Sequence, residues 1–100
     1  MTVNKNQTVA GTTIADAAAM LADHVQVPTA SASQGLLLRS GNEGDIRSVC
    51  NKSAMNIKLY PPTSAGTINS GAAGFPLIIP PSGAAIIICV DAATYHAVKS

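Results

Sequence analysis

The side chains that most often carry chemistry in proteins are few in this chain, and their spacing does not match a known kind of site. There are two histidines, His24 and His96, and two cysteines, Cys50 and Cys89. Metal sites usually combine such ligands through short spacings such as Cys-x-x-Cys, which the chain lacks. His96, Cys89 and Asp91 could meet around an ion, but both cysteines lie in apolar runs, where a cysteine usually packs as a small hydrophobic residue. We therefore predict no metal site and two buried, reduced thiols.

The potential nucleophiles, the acidic residues and the glycine-containing segment of the chain also do not match a known kind of active site. Serine and threonine are abundant, but no Gly-x-Ser-x-Gly elbow is present, and the glycine-containing segment 66–74 lacks the Lys-Ser/Thr ending of a P-loop. Glu43 and Asp45 flank Gly44 in a polar turn, which is typical of a solvated loop tip rather than of an acid/base pair. The sequence thus predicts that the protein is not an enzyme, uses no cofactor and binds no small-molecule substrate.

The composition favours protein partners. Charged residues make up 11% of the 100 residues and the formal net charge is +1, whereas globular proteins carry about 25% charged residues. The basic residues are scattered, although nucleic-acid binding needs them clustered. No apolar run approaches the ~20 residues that cross a membrane, and residues 1–13 are too polar for a secretory signal. We expect no nucleic-acid binding, no membrane binding, and folding in a cytoplasm.

The elements that hydrophobic patterning predicts are short strands. Apolar and β-branched residues alternate with polar ones and are interrupted by Pro or Gly, as in residues 57–62, which is typical of antiparallel strands. The predicted fold class is all-β, a small antiparallel β-sandwich or barrel of about seven to eight short strands over residues 14–100. Residues 1–13 are predicted to form a polar N-terminal arm, and residues 14–21 one short helix or a continuation of the arm.

The segment 84–90 is the clearest sign of self-association. It is apolar on both faces, with Ile86 and Ile88 on one side and Ile87 on the other, whereas a strand of a two-sheet monomer normally has one polar face. Aromatic residues are only 3% of the chain, and a partner subunit can supply the burial that such a core lacks. The candidate oligomer-interface residues are therefore Ile86, Ile87 and Ile88. The alternative is that the N-terminal segment covers the second face.

The order of these elements resembles a family of small virion proteins from tailed phages and prophages. The pattern that carries the resemblance is a leucine strand, a glycine turn, a strand closed by Asn51, and a strand that runs into Tyr-Pro-Pro at 60–62. It continues with Thr-Ile-Asn at 67–69 and further apolar segments that end at 95–98. The resemblance covers residues 17–98, and its distinctive part is the pairing of Tyr-Pro-Pro with Thr-Ile-Asn. The chain departs from the family at its end, where Tyr95 and His96 stand in place of a common Trp, and at Pro76, which lies in a segment where the family has an ordinary apolar residue.

The resemblance implies a capsid decoration (cement) protein. Members of the family look like β-sandwich modules that assemble as symmetric oligomers, so we expect a homotrimer whose partner is the major capsid protein. Its expected location is the virion, on the capsid surface, after assembly in the host cytoplasm, and its expected role is to stiffen the shell against packaged DNA. The alternative is a tail-fibre or other host-recognition binding module, which exposed aromatic residues in loops would favour.

Overall fold

A computed structural model describes residues 2–69, 71–91 and 93–99 of the chain. Within these residues the protein is all-β, with ten short strands in two sheets and no helix. The strands are β1 (Val3–Asn4), β2 (Ala18–Ala19), β3 (His24–Val27), β4 (Gln34–Leu37), β5 (Ile46–Asn51), β6 (Ile57–Tyr60), β7 (Thr67–Ile68), β8 (Leu77–Ile79), β9 (Ala84–Cys89) and β10 (Thr94–Lys99).

The first six strands wind as a β-solenoid. Strands β1, β3 and β5 lie side by side and parallel in a six-stranded sheet, while β2, β4 and β6 do the same in a four-stranded sheet. The chain therefore passes from one sheet to the other in each of three coils. His24 pairs with Val3 and with Ser48, which lie 21 and 24 positions away, and Leu36 pairs with Leu59, 23 positions away. Each coil thus stacks almost in register on the coil before it.

Three of the last four strands, β8, β9 and β10, close the solenoid with antiparallel pairs. Strand β9 lies between β5 and β10 and is antiparallel to both, and β8 is antiparallel to β6 at the edge of the four-stranded sheet. Strand β7 lies parallel to the beginning of β10. The six-stranded sheet consequently has the order β1-β3-β5-β9-β10-β7 and the four-stranded sheet the order β2-β4-β6-β8.

The core lies between the two sheets. Val25, Val49 and Ala85 stand in one row across the six-stranded sheet, and Leu36 and Leu59 stand in one row across the other. All five side chains are buried, with at most 2% of their surface exposed. Because equivalent apolar positions of successive coils stack, small aliphatic side chains form a continuous core, and few aromatic rings are needed.

The predicted all-β class is confirmed, but the predicted antiparallel sandwich or barrel is wrong. Alternation of apolar and polar residues shows that a strand has one buried face, and it does not show which strand pairs with it or in which direction. Strands β5 and β6, which follow one another along the chain, lie in different sheets. The structure also has more strands than the predicted seven to eight. Three of them, β1, β2 and β7, are two residues long, too short to show a period.

The possible short helix over residues 14–21 is not formed. Residues 14–16 make a turn, in which the carboxylate of Asp16 accepts hydrogen bonds from the backbone N–H groups of Thr12 and Thr13 at 3.2 and 2.9 Å. Strand β2 follows and pairs with β4. Alanine has a high helix propensity, but propensity is a weak preference that tertiary pairing overrides.

The predicted N-terminal arm, in its described residues 2–13, lies along the rest of the chain. Strand β1 pairs with β3, and Val9 belongs to the core. Gln7 is 1% exposed; its Nε2 donates to the carbonyl oxygen of Ala19 at 2.9 Å, and its Oε1 accepts from the N–H of Leu21 at 3.0 Å. This polar segment is anchored because a buried glutamine satisfies backbone groups of the neighbouring coil.

Candidate functional site

Part of the outer face of the four-stranded sheet is covered by the chain itself. Ala10 forms an isolated backbone bridge with Gly35 beside β4, and Thr12 lies against outward side chains of β6. The hydroxyl of Tyr60 donates to the carbonyl oxygen of Thr12 at 2.8 Å. Gly35 leaves room for this packing, since a Cβ there would lie 3.0 Å from the ring of Tyr60. This part of the face is therefore unavailable to a partner, whereas Ile78 on β8 remains 39% exposed.

The outer face of the six-stranded sheet has no such cover from the described residues. The strand register arranges its outward side chains in three rows. We call this surface the bare face, and it consists of Val3, His24, Ser48, Ile86 and Val98 in one row, Ile46, Ile88 and His96 in the second, and Gln26, Cys50 and Ala84 in the third. None of these side chains is acidic, and none is Lys or Arg. The bare face is thus an uncharged surface in which isoleucine and valine are prominent.

The structure separates the three isoleucines of β9. Ile86 and Ile88 lie at the centre of the bare face, where 53% and 42% of their surfaces are exposed. Ile87 points to the opposite side and is fully buried in the core, so it is not available to a partner. Of the two explanations for the apolar second face of this strand, cover by the N-terminal segment does not apply, because β1 lies at the far edge of the same sheet and leaves Ile86 and Ile88 exposed.

The neighbouring charged groups pair with one another away from the bare face. Arg47 points inward on β5, and its guanidinium lies 3.3 Å from the carboxylate of Asp23 and 3.6 Å from that of Asp45. A hydrogen bond from the backbone N–H of Thr2 lowers the pKa of Asp23, and the guanidinium groups of Arg47 and Arg39 lower it further. These ion pairs join the beginnings of β3 and β5 and leave the sheet surface uncharged.

The two cysteines are free thiols in different environments. Cys89 is buried, as predicted, and its Sγ lies 3.2 and 3.1 Å from the carbonyl oxygens of Gly41 and Asp91, either of which can accept its single S–H hydrogen. The prediction that Cys50 is buried was wrong, because the alternation along β5 turns its half-buried side chain to the bare face. Cys50 can therefore report on access to that surface.

A serine–histidine contact, which the sequence analysis did not predict, lies on the bare face. Nδ1 of His24 is 2.7 Å from Oγ of Ser48. In the described part of the chain, Nε2 of His24 is buried and has no hydrogen-bond partner, so no carboxylate orients the ring as nucleophilic catalysis requires. The contact joins β3 to β5, and we assign it a structural role. Only the parallel pairing brings together two residues that are 24 positions apart.

Asn51, which carries part of the sequence resemblance, has a structural role. Its side chain is fully buried. Nδ2 lies 2.7, 3.0 and 3.1 Å from the carbonyl oxygens of Met55, Ile79 and Pro80, which share its two hydrogens, and Oδ1 accepts from the N–H and the hydroxyl of Ser53. One amide thus holds the turn after β5 against the end of β8.

Comparisons with known proteins add no relative, since no protein-family model, curated protein or solved structure matches this chain. Within residues 2–69, 71–91 and 93–99, the structure has no helix suited by length and apolarity to crossing a membrane. The same residues contain no group of three or more His, Cys, Asp and Glu side chains that could hold a metal ion. Functional inference therefore depends on the sequence pattern and on the bare face.

Proposed function

We propose that this chain is a structural virion protein that binds the outside of a phage capsid and stabilises the shell. The observation that carries the proposal is the bare face, an uncharged apolar sheet surface with Ile86 and Ile88 at its centre. Exposed apolar surface of this kind marks a contact with another protein. The sequence resemblance supplies the type of assembly, a decoration protein of a tailed phage.

The bare face can supply most of a subunit contact. Its strands β1, β3, β5, β9 and β10 have two, four, six, six and six residues. At ~3.4 Å per residue and ~4.8 Å between strands, they give a projected area of about 390 Å². Two such surfaces in contact would cover about 780 Å², whereas a specific interface buries about 1,000 Å² or more, so the contact we propose also includes residues around the bare face.

We propose that three copies associate through this surface as a homotrimer. Ile86 and Ile88 lie on β9, between the exposed Ile46 of β5 and Val98 of β10. In the trimer that we propose, these four side chains face a common threefold axis, and the largest outward aliphatic side chains are thereby removed from water. The uncharged polar side chains of the bare face suit the periphery of the contact. The surfaces outside the trimer are then available to the major capsid protein.

A tail-fibre or host-recognition module is the second candidate, and one observation favours it. Phe75, in the loop between β7 and β8, is 65% exposed. Exposed aromatic side chains on loops are frequent at binding sites because they bring a large contact area at low entropic cost. Location on the tail rather than on the shell distinguishes this candidate from a decoration protein.

The decisive experiment is immunogold electron microscopy of purified virions with antibodies raised against this chain. We expect gold over the shell of intact particles and none on particles from a strain in which the gene is deleted. The deletion particles should also release DNA at a lower temperature than the parent particles. Gold confined to the tail would support the second candidate, and virions without specific label would refute both proposals.

A further inference from the structure

Strand β10, the last strand along the chain, is only partly covered on the edge that faces β7. Strand β7 pairs with Thr94 and Tyr95 at the beginning of β10, whereas β10 continues to Lys99. Among the described residues, no further strand continues this pairing. An uncovered edge presents backbone N–H and C=O groups with which a strand from another chain can pair.

The side chain of Asn69 occupies this position. Its backbone N–H donates to the carbonyl oxygen of Tyr95 at 2.8 Å, which continues the pairing of β7. Beyond it, Oδ1 accepts from the N–H of Ala97 at 2.8 Å and Nδ2 donates to the carbonyl oxygen of Ala97 at 3.1 Å. The side-chain amide thus bonds to both backbone groups of Ala97, as the peptide group of an added strand would.

Two further features fit this arrangement. Asn69 has a φ of +57°, a left-handed conformation that asparagine tolerates better than most residues. Lys99, at the end of β10, extends its ammonium to the carbonyl oxygen of Ile78 at 3.1 Å, and Ile78 belongs to β8, the edge strand of the other sheet. A lysine on an edge strand discourages strand addition.

We propose that the Asn69 side chain is a built-in cap that closes the edge of β10 to strand addition by a second copy of this chain. The occupant it excludes is β10 of another copy, which can pair antiparallel to form a sheet continuous across two molecules. The cap restricts association to other surfaces, and it acts independently of the proposed function because it concerns the sheet edge and not the bare face.

The test is Asn69→Gly in a protein that also carries Ile86→Thr and Ile88→Thr, which weaken association through the bare face. Glycine removes the amide and accepts the positive φ. Sedimentation velocity should detect new oligomers of this triple variant at concentrations where the double variant, which keeps Asn69, is monomeric. A synthetic peptide with the sequence of residues 94–99 should suppress them by occupying the edge. A folded triple variant that stays monomeric, or oligomers that the peptide leaves unchanged, would overturn the proposal.

Hydrogen exchange gives a second measurement that does not require association. In monomeric protein the N–H of Ala97 should exchange about tenfold faster or more after Asn69→Gly, because a capped amide becomes exposed to solvent. Asn69→Asp keeps an acceptor for this N–H and should give slower exchange than Asn69→Gly. Equal Ala97 exchange rates in the parent and in Asn69→Gly would show that the side chain is not a cap.

Discussion

The bare face can be tested by replacing Ile86 and Ile88 together with threonine. Threonine keeps the β-branched shape that strands favour and replaces an aliphatic group with a hydroxyl. Both isoleucines point outward and are about half exposed, at 53% and 42%. We therefore expect the monomer to keep its fold and thermal stability while trimerisation weakens.

The magnitude follows from the surface that remains to be buried. Full burial of an isoleucine side chain contributes about 1.5–3 kcal/mol, so burying the exposed half of both residues contributes about 1.4–2.8 kcal/mol per copy and about 4–8 kcal/mol per trimer. This corresponds to about three to six orders of magnitude in the trimerisation constant. Because the trimerisation constant has units of inverse concentration squared, the midpoint concentration varies with its inverse square root and should rise about 30- to 1,000-fold.

Sedimentation equilibrium over a range of concentrations measures the midpoint. Leu21→Thr with Met55→Thr is the matched control, since these residues are 69% and 43% exposed but lie outside the bare face. The thiol of Cys50 gives a second measurement, because assembly should slow its alkylation in the parent and in the control but not in the Ile86/Ile88 variant. A parent protein that remains monomeric at all concentrations, or an unchanged midpoint in the variant, would refute the reasoning.

Three other predictions concern the interior and the N-terminal coil. Asn51→Ala should lower the unfolding free energy by about 3–5 kcal/mol in urea denaturation, because several buried groups lose their partner, whereas the exposed Asn56→Ala should change it by less than about 0.5 kcal/mol. Gln7→Ala should cost about 2–3 kcal/mol in the same assay, and a loss smaller than about 1 kcal/mol would show that the N-terminal segment is only loosely attached. Hydrogen bonding by Thr2 lowers the pKa of Asp23 in the folded state, so the carboxylate stabilises the fold above its ordinary pKa of 3.8, and this contribution is lost as the pH falls further. The stability difference between the parent and Asp23→Asn should therefore be present at neutral pH and shrink below pH 3.8; a difference independent of pH would contradict it.

Part of the candidate site could be predicted from the sequence. The apolar run 84–90 indicated a strand with two apolar faces, and Ile86 and Ile88 were correctly placed on the same face. Which face is turned outward was not predictable, because Ile86 and Ile87 are chemically identical and only the neighbouring sheet distinguishes them. The contact between His24 and Ser48 was missed because it depends on coils that stack 24 positions apart, a repeat with little identity of sequence to reveal it.

The pattern of short strands separated by Pro and Gly determined the all-β class, because β-branched residues and chain breakers act locally. The amino-acid composition, with 11% charged residues, determined the low charge of the surface. Only the tertiary structure decided that the strands wind as a solenoid, since the direction and partner of each strand depend on contacts between distant residues. For the same reason, only the structure showed that a polar N-terminal segment contains a buried glutamine: a polar side chain becomes interior when the fold places unpaired backbone groups beside it.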